Sequence, residues 1–224
     1  MSEFMNLIQS INWNQMLTAC EETLLMTFVS FGLSAILGLI LGIVLYVTQE
    51  NGLWPKVFLF RILDFLVNVF RAIPFIILLC ILVPFTRFLV GTMLGSKAAI
   101  PSLTICAIPF YARMCLIAFN EVNKGTIEAS KAMGANNFQI MLKVVLPESS
   151  PALISGLAML GINLVGYTAM AGAIGGGGLG NLAYLYGFAR RDDVILYSAT
   201  AIIVAIVFLI QFVGDKIAKN IDKR

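Results

Sequence analysis

The apolar positions of this chain are gathered into long runs. Thr23 to Val47, for example, contains 25 residues without a charged side chain. About 20 helical residues cross a hydrocarbon core of about 30 Å, so a run of this length is enough to span a membrane. The pattern predicts an all-α, polytopic membrane protein with five transmembrane helices, over about 23–47, 62–85, 98–119, 152–174 and 194–213.

Two of these segments are interrupted. The second segment is interrupted by three charged residues and a proline, namely Arg61, Asp64, Arg71 and Pro74. Only the 14 residues 72–85 of this segment form an uncharged stretch after Arg71. The first part of this segment is therefore expected to be interfacial or buried in protein. The third segment contains Pro101 and Pro109, which predict kinks or breaks whose freed carbonyl groups need neighbouring donors.

The basic residues predict the orientation of the chain, because loops rich in Lys and Arg stay in the cytoplasm. With the N-terminus outside, the cytoplasmic segments hold nine basic residues: Lys56, Arg61, Lys124, Lys131, Lys143, Lys216, Lys219, Lys223 and Arg224. The outer segments hold four: Arg87, Lys97, Arg190 and Arg191. We therefore expect 1–18 to be an extracytoplasmic segment, 120–151 a cytoplasmic loop and 215–224 a cytoplasmic basic tail.

Composition narrows the classes of function. Apolar residues make up 59% of the 224 residues and charged residues only 12%, against roughly a quarter charged in soluble domains. The net charge of +3 is too small to indicate a nucleic-acid partner. The chain has no histidine, which excludes His-based catalysis and His-containing metal sites. The four cysteines form no C-x-x-C pair, so neither a redox nor a metal role is expected for them.

Two arginines lie inside the predicted spans. In the predicted orientation, Arg71 and Arg113 both fall in the cytoplasmic leaflet. An arginine at the centre of a span costs about 2.5 to 3.5 kcal/mol on insertion scales. Snorkelling towards the cytoplasm or pairing with Asp64 would reduce this free energy. Two interpretations of these polar residues stay open, a polar lining of a translocation path and a purely structural role.

The cytoplasmic loop is predicted to form a helix, a tight turn and a second helix. The first helix is expected to be capped by Thr126 and to run to Met133, and Gly134 suits the left-handed position that ends it. The second helix is expected to stop before Pro147, and its candidate caps are Asn136 and Asn137. Such a segment is either a membrane-surface anchor or a helix that inserts into a partner protein. The scarcity of clustered basic residues favours a protein partner.

Seven positions of this loop resemble a known family. They are Glu128-Ala129-Ser130, then Gly134, then Val144-x-Leu146-Pro147. This run resembles the EAA loop of ABC importer permeases, in which Glu-Ala-Ala is followed after three residues by Gly and after nine more by Ile-x-Leu-Pro. Ser130 replaces the second Ala and Val144 replaces Ile. The resemblance implies contact with a separate ATPase subunit through Glu128, Ala129, Ser130, Gly134, Phe138, Leu146 and Pro147.

Other motifs extend the resemblance over residues 19–214. They are Asn68-Val-Phe-Arg71-Ala-Ile-Pro74, Pro84-Phe-Thr86-Arg87, Pro109-Phe-x-Ala-Arg113-Met114, and Val165-Gly166-Tyr167-x-Ala-Met170 before Leu179-Gly180. Together they resemble the methionine ABC transporter permeases. The resemblance implies a type I permease domain over 19–214, a homodimer, two ATP-binding ATPase subunits and an extracytoplasmic methionine-binding protein at a bacterial cytoplasmic membrane. ATP and magnesium would be bound by the ATPase, so this chain is expected to hold no cofactor.

Three further patterns each have a structural alternative. Asn163, Tyr167 and Met170 share one face of the fourth span, where they either line or gate the pathway or simply pack helices. Gly38-x-x-x-Gly42 is a candidate close-packing face. The glycine-rich run 175–180 lacks the Gly-Lys-Ser/Thr ending of a phosphate loop. It is expected to be a tight outer turn where backbones approach closely or the binding protein docks.

Three functions compete at this point. The first is a permease that moves methionine inward, and related permeases could serve other amino acids. An intramembrane enzyme would need paired carboxylates or a nucleophile with its base, and Asp64 is the only acidic residue near a span interior. A secondary carrier typically has two repeated halves, and no internal repeat is visible. The sequence favours the permease.

Overall fold

The computed structural model describes residues 12–221, and the regular structure in that range is helical. The helices are α1 (Trp13–Thr48), α2 (Val57–Ala72), α3 (Phe75–Val90), α4 (Ser96–Asn120), α5 (Lys124–Ala132), α6 (Asn137–Ile140), α7 (Leu146–Glu148), α8 (Ser150–Ala171), α9 (Gly178–Asn181) and α10 (Asp193–Ile221), with π-helical turns at Met141–Val145 and Leu182–Ala189. The segment Gly172–Gly176 after α8 is a kink, because Ile174 and Gly175 have non-helical backbone angles. Most of the predicted outer segment and the end of the predicted basic tail lie outside the described residues.

Four helices are long and apolar enough to cross a membrane: α1, α4, α8 with the turn after it, and α10. Helices α2 and α3 are long and apolar enough only when they are taken together, and the chain bends by 108° at the break between them. The all-α polytopic class is therefore confirmed, and the predicted five spans are obtained when the bent pair counts as one.

The predicted second span, 62–85, is not one straight helix. Ile73 ends α2 in an extended conformation, with φ −74° and ψ 126°, and Pro74 stands as the residue before α3. The pyrrolidine ring of a proline disfavours the helical region for the residue that precedes it. The bend is a direct consequence of the Ile73-Pro74 pair.

The expected breaks at Pro101 and Pro109 do not occur. Helix α4 runs without interruption through both prolines. In the most apolar 18-residue stretch of this helix, 67% of the residues are buried. Packing against neighbouring helices therefore stabilises the helix, although each proline lacks a backbone N–H donor. Tertiary contacts, which the sequence alone does not display, decide the outcome at these two positions.

The chain forms two compact units, and each long helix contributes to both. Within the described residues, the first unit consists of 12–33, Pro74–Cys106 and Gly161–Ile210. The second consists of Ser34–Ile73, Ala107–Leu160 and 211–221. The loop between α4 and α8 belongs to the second unit, and the glycine-rich turn belongs to the first.

The core of the second unit contains a close contact between α1 and α4. A Cβ added to Gly42 would lie 2.5 Å from the Cβ of Cys115, and one added to Gly38 would lie 3.0 Å from the Cβ of Tyr111. A side chain at Gly42 would force the two helices apart, because the Cβ of Cys115 is fixed to its backbone, whereas at Gly38 the neighbours would have to give by a few tenths of an ångström. The Gly38-x-x-x-Gly42 pattern is therefore a packing face between two helices of the same chain.

Candidate functional site

The first helix of the loop, α5, starts three residues earlier than predicted. Asn123 is its N-cap, and the Asn123 side chain accepts a hydrogen bond of 2.8 Å from the Gly125 N–H. The prediction of Thr126 as the cap is wrong. Asn is preferred over Thr at this position, and the Thr126 backbone carbonyl instead accepts a hydrogen bond from Ser130 Oγ at 2.8 Å.

Gly134 ends this helix as predicted. Its φ is +87°, and the backbone closes in two hydrogen bonds, from the Ala135 N–H to the Ser130 carbonyl and from the Gly134 N–H to the Lys131 carbonyl. This is the pattern of a Schellman motif, in which a left-handed residue follows the helix. The tight turn between α5 and α6 is therefore confirmed.

The two candidate caps of the second helix have different roles. Asn136 accepts from the Gln139 N–H at 2.8 Å, while Gln139 Oε1 accepts from the Asn136 N–H at 3.0 Å, which makes a capping box. Asn137 instead donates from Nδ2 to the Leu53 carbonyl at 2.6 Å. Asn137 thus anchors the loop to the segment between α1 and α2, a contact that sequence reasoning missed.

The second helix does not stop before Pro147, so that prediction is wrong. A π-helical turn, in which the Leu146 N–H donates to the Met141 carbonyl, leads directly into α7. A π turn pairs residues five apart and is wider than an α turn. The wider turn removes the clash that a proline makes with the carbonyl four residues earlier.

The seven residues of the predicted ATPase contact divide between surface and interior. Glu128, Ala129, Gly134, Phe138 and Pro147 are exposed. Leu146 is half-buried, and Ser130 is buried. Next to Gly134, Met133 is 81% exposed, and Phe138 is 63% exposed. The loop therefore presents a mixed surface, defined here as the loop face, formed by Glu128, Ala129, Met133, Gly134 and Phe138.

Polar residues from α2 and α4 form a small network. Arg113 Nη2 lies 2.8 Å from Asp64 Oδ1 and donates to Asn68 Oδ1 at 2.6 Å. Asn68 in turn donates to Asp64 Oδ2 at 3.0 Å. The expected pairing with Asp64 is therefore found for Arg113 but not for Arg71, which is exposed near the end of α2. Asn68 was missed as a member, although its spacing of four residues from Asp64 puts both on one helical face.

The predicted face of the fourth span lies in the first unit. Tyr167 stacks on Phe75, with ring centroids 4.3 Å apart and planes 5° apart. Met170 is 50% exposed, and Asn163 is partly buried. Phe75 is the first residue of α3, directly after the bend. No sequence pattern links it to Tyr167, so the stack was not predicted.

The glycine-rich run forms the expected tight turn. Gly175, Gly177 and Gly178 all have positive φ, a conformation that other residues rarely adopt. The Gly95 N–H donates to the Gly175 carbonyl at 2.9 Å. The chain then enters α9 directly, so that helical structure follows the turn at once.

Known proteins resemble the chain over most of its length. Residues 34–224 match the family described as binding-protein-dependent transport system inner membrane component. The methionine import system permease protein MetP of Bacillus subtilis is 51% identical over 180 residues, which cover 80% of this chain and 81% of that protein. The probable D-methionine transport system permease protein MetI of Pasteurella multocida is 45% identical over 212 residues, which cover 95% of this chain and 98% of that protein.

The fold agrees with these similarities. A solved structure of the MetNI methionine ABC transporter, described as inward facing and in its native crystal form, matches with a TM-score of 0.91 at 44% identity. The match covers 93% of this chain and 97% of that chain. The relatives are transport permeases and not enzymes. The chain therefore belongs to the family of binding-protein-dependent transport system inner membrane components, in the branch that contains the methionine ABC importer permeases.

Proposed function

We propose that this chain is the permease subunit of an ATP-driven importer for methionine. Its substrates would be L-methionine and also D-methionine or methionine derivatives. The observation that carries the proposal is the identity of 45% and 51% to permeases named for D-methionine transport and for methionine import, over 80% or more of each chain. The chain would supply the pathway through the membrane. A separate ATPase would bind ATP and magnesium.

The loop face is the proposed contact with the ATPase. Met133 and Phe138 are large apolar side chains on an exposed helix–turn–helix, flanked by the Glu128 carboxylate. Exposed apolar anchors beside a charged group are typical of a segment that inserts into a partner. Buried Ser130 supports α5 from inside, whereas Leu146 and Pro147 shape the helix behind the turn.

The complete transporter is proposed to be a homodimer of this chain with two ATPase subunits. A methionine-binding protein would deliver the substrate from outside. The placement is a bacterial cytoplasmic membrane, with the N-terminus outside and the C-terminus in the cytoplasm. Support for this orientation comes from the excess of Lys and Arg in the segments assigned to the cytoplasm.

The pathway is proposed to run along the face of α8 that carries Asn163, Tyr167 and Met170. Met170 offers a flexible apolar side chain that can adapt to an apolar substrate, and the Phe75–Tyr167 stack would hold the wall beside it. The Arg113–Asp64 pair is assigned a structural role because its charges are mutually satisfied. Arg71 is therefore the remaining candidate for a polar residue that lines the translocation path.

The test is substrate selection in proteoliposomes that contain the permease, its ATPase and its binding protein. Uptake of labelled L-methionine is measured alone and in competition with D-methionine, leucine and histidine. The proposal expects saturable L-methionine uptake that D-methionine inhibits and that histidine leaves unchanged. Preferred transport of another amino acid would overturn the substrate assignment.

A further inference from the structure

Two neighbouring side chains of α1 reach the glycine-rich turn. Glu22 Oε2 accepts a hydrogen bond of 2.6 Å from the Gly178 N–H. Thr23 Oγ1 accepts one of 2.8 Å from the Leu179 N–H and donates to the Ala19 carbonyl at 2.9 Å. The first N–H groups of a helix have no acceptor within the helix itself. Here α1 provides the acceptors for the segment that starts after the turn.

The contact depends on the absence of side chains in the turn. A Cβ added to Gly177 would lie 2.6 Å from Glu22 Oε2, and one added to Gly178 would lie 2.6 Å from Thr23 Oγ1. Both glycines also have positive φ, 78° and 76°. Glycine is therefore required at positions 177 and 178 for two reasons: the backbone conformation and the close approach of the α1 side chains.

The same turn is connected to the end of α8. A Cβ added to Gly180 would collide with the Ala169 carbonyl oxygen, and one added to Gly172 would collide with the Asn181 backbone nitrogen. Backbones packed this closely cannot slide independently. A displacement of the turn would therefore move the part of α8 that carries Met170.

The contact is also accessible. A cavity of about 420 Å³ lies beside it and includes Glu22 and Gly178 in its wall. Most of the other lining residues are polar, among them Asn14, Gln15, Thr18 and Asn181. Water can therefore replace the carboxylate when the bond opens, and this keeps the contact reversible.

We propose that Glu22 is a positioning residue for transport. With Thr23, it holds the glycine turn against α1 and thereby fixes the end of α8 and Met170. Glu22 touches neither substrate nor nucleotide in this account. Its effect on transport rests on the proposed function, in which the α8 face forms the pathway.

The first measurement is hydrogen–deuterium exchange at single-residue resolution, on the full transporter in nanodiscs. Glu22→Ala should speed exchange at the Gly178 amide by about tenfold or more, since its hydrogen bond to a charged group is lost. Glu22→Gln retains an acceptor oxygen and should show a smaller increase. Glu21→Ala is the matched control because the adjacent Glu21 is exposed. Exchange in α5 reports on global folding and should not change.

The second measurement is the number of methionine molecules imported per ATP hydrolysed. Glu22→Ala should lower this ratio severalfold, and Glu22→Gln should restore much of it, while Glu21→Ala stays at the wild-type value. A protein that is merely unfolded would lose hydrolysis and uptake together and would also change exchange in α5.

Two results would overturn the proposal. One is unchanged exchange at the Gly178 amide in Glu22→Ala. The other is faster exchange with a wild-type ratio, because the contact would then position nothing. Failure of the proposed function is distinguishable, since wild-type protein would then import no methionine. The exchange measurement needs no substrate and would still decide whether Glu22 holds the turn.

Discussion

At the scale of single residues, Gly134 allows the sharpest test of the loop. A Cβ there would meet nothing within 4 Å, but the φ of +87° is one that side chains rarely adopt. Gly134→Val should therefore add backbone strain of about 1 to 3 kcal/mol without any steric collision. We expect the variant to insert in the membrane and to bind the ATPase poorly, as measured by pull-down.

The matched control for this variant is Gly134→Asn, because Asn adopts the left-handed conformation far more readily than Val. It should retain most of the binding. Equal binding by Gly134→Val and wild type would show that the turn does not shape the ATPase contact. Glu128→Lys reverses a charge on the loop face and should weaken the same binding independently.

The Arg113–Asp64 pair gives a second prediction at this scale. Asp64→Leu leaves the Arg113 guanidinium without its anion, and its Nε already has no hydrogen-bond partner among the described residues. We expect a loss of stability of about 1 to 3 kcal/mol, seen as a lower melting temperature in detergent. Arg71→Ala removes an exposed arginine and should melt like wild type. Equal destabilisation by both variants would contradict the structural role of the pair.

At the scale of helices, the contact between α1 and α4 predicts a contrast between two glycines of the same helix. Gly42 lies against Cys115, whereas a Cβ on Gly32 would have nothing within 4 Å. Gly42→Leu should destabilise the protein by about 1 to 3 kcal/mol through overpacking, and Gly32→Leu should be close to neutral. Melting temperatures of the two variants decide this, and a similar loss at Gly32 would contradict it.

Local chemistry explains which helices the sequence predicted well. Gly134 and Asn136 act through residues within four positions in the chain, so their capping roles were visible in advance. No break occurs at Pro101 or Pro109, because packing against neighbouring helices stabilises the helix there. Pro147 does not end its helix, because a π turn removes the clash with the preceding turn. Thr126 was misjudged because a better cap, Asn123, lies one turn earlier.

At the scale of the whole molecule, the class of fold can be inferred from the lengths of the apolar runs, because the thickness of the bilayer sets the length of a transmembrane helix. Contacts between distant residues are not readable in this way. Glu22 and Gly178 are 156 positions apart, and the partners Phe75 and Tyr167 are joined by no motif. The sequence therefore predicted the loop part of the proposed site. It did not predict which residues surround the α8 face.

Topology supplies a prediction at this scale. In a background without cysteine, Asn136→Cys should resist a membrane-impermeant thiol reagent added to intact cells, whereas Leu94→Cys should react. Both positions are exposed, so burial does not distinguish them. Asn136→Cys should react after the cells are opened, which controls for access. Strong labelling of Asn136→Cys from outside would contradict the proposed orientation.

The central claim is that this chain moves methionine only when a separate ATPase hydrolyses ATP. Its most direct test is methionine uptake into proteoliposomes from which one component at a time is omitted. We predict uptake with permease, ATPase, binding protein and ATP together, and background uptake when the ATPase or ATP is left out. ATP-independent methionine uptake by the permease alone would contradict the account, because the chain would then act as a secondary carrier.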